Sequence, residues 1–376
     1  RALAVAAAPA MGCATCDLDV EPGDRVTVRE KDGTVTLENG LVRAVLRSDG
    51  RLASLFDKRA GREAVEPGKA GNDLVLFDDN PNNYDAWDVD VFHVEKFRKV
   101  APAREMRIVE RGPLRAAVEF EYELGKASRM KQTVRLSALA QRVEFHCDVD
   151  WAESNRFLKV EFPWNVRSMF ATYEVQFGHV QRPTHFNTSW DVARFEVCAQ
   201  RWADLSEAGF GVALFNDCKY GHAVHGNVMR LSLLRSPKSP DPVADMGRHV
   251  FAYAVAPHAG TLQQAGVVRQ AYEFNAPLLA LRGSGGKRER SFFAVDSEAV
   301  VIDTVKKAED SDALIVRLYE AHGGRGPVRL TSPLPVKAVS RCNLLEEEGA
   351  PLAWKRGGVD FEVRPFEIVT LKLALG

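Results

Sequence analysis

Between Leu76 and Asp90 the chain reads Leu-Phe-Asp-Asp-Asn-Pro-Asn-Asn-Tyr-Asp-Ala-Trp-Asp-Val-Asp, setting five carboxylates, three aromatics and three amides around one proline. Carboxylates and amides exchange hydrogen bonds with hydroxyl groups, while Tyr84 and Trp87 add flat apolar faces with a polar edge. The mixture suits a polyhydroxylated ligand and points toward sugar chemistry. The same residue types also have a purely structural use, because Asp and Asn form turns and strand aromatics fill cores. Metal chemistry finds less support. The nine histidines are scattered, and the closest pair, His222 and His225, would point to opposite faces of a strand. Cys13-Ala-Thr-Cys16 has the spacing of half a zinc site, yet no second Cys or His pair follows at a matching distance. No metal ligand and no cofactor is therefore expected within this chain.

The elements that must position these residues read as β almost throughout. Arg25–Arg29, Thr34–Leu37 and Leu41–Leu46 are separated by Lys-Asp-Gly and Asn-Gly turns, a hairpin grammar. Period-two alternation continues through Leu114–Leu124, Lys131–Leu136 and Arg142–Asp150, which predicts one buried and one wetter face. Only Ala259–Ala271 and Ala60–Val65 read as short helices, and no βαβ series is present. The expected fold class is all-β, with large antiparallel sheets packed face to face. A Gly-rich, charged stretch at 281–290 marks a linker, and beyond it 291–376 carries the strand spacing of a compact β-sandwich. This predicts a join at 1–24, a large β domain at 25–280, the linker, and a C-terminal sandwich.

With 376 residues the chain can bury a substantial core without covalent staples. Lys plus Arg number 50 against 51 Asp plus Glu, so no basic stripe suggests a nucleic-acid partner or an acidic membrane surface. No apolar run is long enough to span a membrane, and the first ten residues make a poor signal peptide. Cys147, Cys198, Cys218 and Cys342 sit singly in apolar or strand-like text, as reduced thiols do. A soluble, cytoplasmic protein is expected.

Several motifs in order carry a resemblance. Phe77–Asp88, then Gln181-Arg-Pro-Thr-His-Phe-Asn-Thr-Ser-Trp190, Gly209–Gly221, Ser232-Leu-Leu-Arg-Ser-Pro-Lys-Ser-Pro-Asp241 and Gly247–Tyr253 resemble the C-terminal region of family 38 glycoside hydrolases. These are the zinc-dependent retaining α-mannosidases, and the flavour is that of the cytosolic and bacterial branch. The resemblance implies a large supersandwich of the galactose-mutarotase-like kind followed by a small β-sandwich. It also implies that the catalytic aspartate and the zinc lie in an N-terminal domain absent from this sequence, so that the chain is a fragment, inactive alone. Retaining hydrolysis needs two carboxyl groups about 5 Å apart. Asp78 with Asp79, or Asp85 with Asp88, could be imagined there, but the resemblance puts the nucleophile elsewhere.

In the family this β region lends a tyrosine and an arginine to the sugar pocket. Tyr173 and Arg235 match them best, with Arg182 and His185 as rivals, and Asp85, Trp87 and Asp88 would brace the pocket entrance. The competing roles are a packed strand aromatic for Tyr173 and a loop-fixing ion pair for Arg235. Partners implied are a mannose-containing oligosaccharide and the enzyme's own catalytic domain, which would leave an apolar patch near Trp87, Tyr173 and Trp190 and could allow a homo-oligomer. Two alternatives stay open: a free-standing carbohydrate-binding module, and a mutarotase-like enzyme, for which no Glu and His pair can be assigned.

Overall fold

Alternation of side chains builds the sheets as read. Along Val143–Trp151, residues Val143, Phe145, Cys147, Val149 and Trp151 are buried while those between them are partly or fully wet. This strand lies within a nine-stranded antiparallel sheet that also holds Arg129–Ser137, Gly247–Ala259 and Phe210–Asn216. Its inner face meets a six-stranded sheet made of Val197–Cys198, Gly221–His225, Val228–Arg235, Arg156–Pro163, Asp73–Asp78 and Phe97–Lys99. Phe145 stacks on Tyr253 at 5.0 Å and meets Phe162 of the second sheet edge-on at 5.9 Å. A five-stranded sheet from Thr27–Lys31 to Arg62–Glu63 completes the sandwich.

Burial of polar groups at the layer boundary is satisfied internally. Tyr253 donates its hydroxyl to Asn72 at 2.7 Å, Asn72 donates to Gln132, and Gln132 returns a bond to Tyr253. The centre of the six-stranded sheet is covered on both faces: Phe157, Leu158, Lys159 and Val160 are all buried. One face packs on the nine-stranded sheet. The other lies beneath the segment that follows Asp78.

The computed structural model describes residues 3–16, 25–283 and 289–376, and these fall into two compact units. The larger holds 25–174 and 181–276; the smaller holds 3–16, 175–180 and the described residues from 277 onward. The smaller unit is a sandwich of a five-stranded and a four-stranded sheet around Val316, Leu318, Val328, Leu330, Val359 and Leu371. Of the join expected at 1–24, residues 1–2 and 17–24 lie outside the described residues, while Gly12–Ala14 forms a strand paired with Glu289–Ser291. Of the linker expected at 281–290, residues 284–288 lie outside them. Val267–Asn275 is helical, but Ala60–Val65 is not: Gly61 turns the chain at φ 62° and Arg62–Glu63 pairs as an edge strand.

Candidate functional site

The residues from Asp78 to Lys96 leave the end of the strand Asp73–Asp78 and return to the sheet at Phe97–Lys99. Three neighbouring strand ends fix their path. Arg235, the last residue of Val228–Arg235, sends Nε to Asp79 Oδ2 at 2.5 Å and Nη2 to the Asp85 carbonyl at 2.9 Å. The same guanidinium donates to the carbonyls of Ala86 and Asp88. Only a planar fork with five N–H groups can serve one carboxylate and three carbonyls at once. Asp85 in turn accepts the backbone N–H of Lys238 at 2.5 Å and of Ser239 at 3.1 Å. Arg156 pairs with Asp78, and Asp90 accepts the Asn82 N–H at 2.8 Å. Tyr84 adopts φ 49° at a tight turn closed by the N–H groups of Trp87 and Asp88. The outcome is a loop tied at both flanks that leaves Tyr84 72% and Trp87 71% exposed.

A second cluster lies behind the loop. Lys159 is 1% exposed, sits 4.2 Å from the centroid of Phe157, and donates to Glu196 at 2.5 Å. Glu196 also accepts from Ser232. Burial pushes the Lys159 ammonium toward its neutral form, and the Glu196 carboxylate opposes this. Burial alone would raise Glu196, but Lys159 and Ser232 hold its carboxyl below the ordinary range. His93, from the short turn Val91–Glu95, closes the cage: its ring lies 5.3 Å from Phe77, 5.6 Å from Phe157 and 5.8 Å from Phe195.

The residues expected at the pocket are thus distributed unevenly. Asp85, Trp87, Asp88 and Arg235 come together in the loop. Arg235, however, takes the loop-fixing role, because its donors are spent on Asp79 and the loop carbonyls. Tyr173 is 2% exposed, its ring 6.5 Å from His222 inside the sandwich, so it stands apart from the loop as a mostly packed strand aromatic. Arg182 lies over the Tyr173 ring at 5.9 Å. His185 lines a separate cavity of about 540 Å³ with Arg62, Glu66, Trp164 and Asn227, and none of the loop's residues lines it. Trp190 is 75% exposed, so the apolar patch expected around Trp87, Tyr173 and Trp190 loses its middle member to the core.

Reading of the sequence missed Lys159, Glu196 and His93, and it named Asp79 only beside Asp78 as a carboxylate pair, not as the partner of Arg235. Among the described residues no group of three or more His, Cys, Asp or Glu could hold a metal ion, so the residues here do not fit a zinc site.

The fold and the loop define an all-β module that presents aromatic and carboxylate groups from a fixed loop, without a metal centre among its described residues. The chain belongs to glycoside hydrolase family 38: residues 37–243 match the family's C-terminal domain and 299–371 its C-terminal beta sandwich domain. It is 49% identical to Alpha-mannosidase 2C1 of Homo sapiens, over 93% of this chain and 34% of that protein. It is 41% identical to Alpha-mannosidase G of Dictyostelium discoideum, over 94% and 34% of the two chains. The chain therefore spans about a third of the length of the curated relatives it matches. In fold it resembles an alpha-mannosidase from Enterococcus faecalis, with a TM-score of 0.74 at 16% identity, covering 94% of this chain and 43% of that one. No helix among the described residues is long and apolar enough to cross a membrane.

Proposed function

We propose that this chain is the non-catalytic C-terminal part of a retaining α-mannosidase that hydrolyses terminal α-mannosides of oligosaccharides. In this reading the nucleophile and the zinc belong to a catalytic domain outside the present sequence. This chain packs on that domain, and its Asp78–Asp90 loop faces the sugar. A cytoplasmic setting is part of the reading, supported by single cysteines such as Cys147, which is buried in the sheet as a thiol.

The observation that carries the proposal is the exposure of Tyr84 and Trp87, at 72% and 71%, on a loop that Arg235 and Asp85 hold in place. A loop ordered in advance gives up little freedom when it meets a ligand, so its aromatic faces contribute more to binding. Asp88 has its carboxylate unspent among the described residues and can accept hydrogen bonds from two neighbouring hydroxyls. In this reading Tyr84, Trp87 and Asp88 are the loop's contacts to the sugar.

In a full-length enzyme, Trp87→Ala should lower kcat/KM on extended mannosides by about tenfold, worth ~1.4 kcal/mol, and affect a small aryl mannoside less. The melting temperature should not change. Equal loss on both substrates with lowered melting would mean that Trp87 packs rather than binds.

A further inference from the structure

The turn Val91–Glu95 has a single buried residue, His93, which is 3% exposed, while Val91, Phe92 and Val94 remain between 36% and 38% exposed. The far end of the sugar-facing loop therefore docks on the sheet through the His93 imidazole, with Val89 packed beside it on the cluster of Val75, Phe77 and Phe157. Its Nδ1 lies 2.8 Å from the carbonyl oxygen of Asp90, which requires the proton on Nδ1 and leaves Nε2 with a lone pair. Nε2 is buried and has no partner.

We propose that His93 is a positioning residue that releases this end of the loop when its imidazole is protonated. A second proton would sit on Nε2, inside a cage of Phe77, Phe157 and Phe195 that already holds the Lys159 ammonium. Glu196 and Asp79 favour the protonated ring through space, but burial and Lys159 outweigh them, and each neighbouring carboxylate already has a hydrogen-bond partner. Glu196 is taken by Lys159 and Ser232, Asp79 by Arg235, and Asp90 by the N–H of Asn82. Arg230, which also acts on Lys159, is itself paired with Glu161 and adds positive charge.

Burial and then Lys159 hold the docked imidazole below its ordinary range, so the docked state prefers the neutral ring. The undocked turn, wet and free of Lys159, titrates near the usual 6.5. Lowering pH through that value therefore favours undocking, with a slope that cannot exceed about tenfold per pH unit and that ends where the docked ring itself takes up a proton. This behaviour does not depend on what the loop binds.

Hydrogen exchange of the peptide covering 91–98, corrected for intrinsic rates, tests the proposal on the chain as it stands. Its protection should fall between pH 6.5 and 5.5, by up to about fivefold, with no change in the strand Phe210–Asn216. His93→Asn keeps a donor for the Asp90 carbonyl but does not titrate, and should abolish the slope. Should this variant stay undocked at every pH, His93→Phe fills the cage without titrating and carries the same expectation. A wild-type peptide whose protection does not change with pH, or a slope that persists in the docked variant, overturns the proposal.

Discussion

At the scale of residues, the division of labour follows from geometry that short motifs do not carry. Arg235 and Tyr173 looked equivalent as pocket candidates, yet one ends a strand beside a loop and the other points into the sandwich. Loop fixing by Arg235 has a direct consequence. Arg235→Lys keeps the charge near Asp79, but a single ammonium cannot also serve three carbonyls. It should cost ~2 kcal/mol, the order of a partly buried charged hydrogen bond, and speed hydrogen exchange across 84–90. Denaturant unfolding monitors the first and exchange the second; unchanged values for both would remove the clamp from the account. The aromatic and carboxylate mixture of 76–90 was legible in the sequence, since composition alone reports hydrogen-bonding groups. Asp79 was not, because nothing local says which of two adjacent carboxylates turns inward. The structure answers: Asp79 has 1% of its side chain exposed and Asp78 has 43%.

At the scale of elements, hairpins were the clearest text. Lys31-Asp32-Gly33 predicted a tight turn, and Asp32 and Gly33 both take positive φ, at 49° and 71°, between Thr27–Lys31 and Thr34–Glu38. Alternation likewise located Val143–Trp151. Arg156–Pro163 shows no such alternation, and Phe157, Lys159 and Glu161 share its second face. That face is roofed at its centre by His93 and Phe195, which are distant in sequence. A lysine between apolar residues on a strand normally signals solvent; here it signals a second covered face and an acidic partner, Glu196, 37 residues later. The loop thus rests on a polar, charged floor, and its docking responds to pH for the same reason.

At the scale of the whole molecule, stability should depend on pH through a buried histidine outside the loop. His222, in Gly221–His225, is fully buried, and burial pulls its imidazole down to about 4. Between pH 6.5 and about 4 the unfolded chain binds a proton that the folded chain refuses, so stability falls as pH falls, by roughly 3 kcal/mol in total. Carboxylates also titrate in acid, so the informative quantity is the difference from His222→Gln, measured by denaturant unfolding. The variant should lose part of the slope; parallel curves would contradict this reading. The division into a large and a small β unit follows the same logic as the strands. Each has enough alternating apolar surface to form its own core, as the cluster around Val316, Leu318 and Leu371 shows for the smaller one.

In the proposed function this chain supports α-mannoside hydrolysis without performing it. Hydrolysis of an aryl α-mannoside by the chain alone, with zinc added and with a chelator, tests it most directly. No turnover is expected in either condition. Zinc-dependent turnover, once contaminating host mannosidase has been excluded, would mean that a complete active site lies within these residues and that the loop does more than present a surface to the sugar.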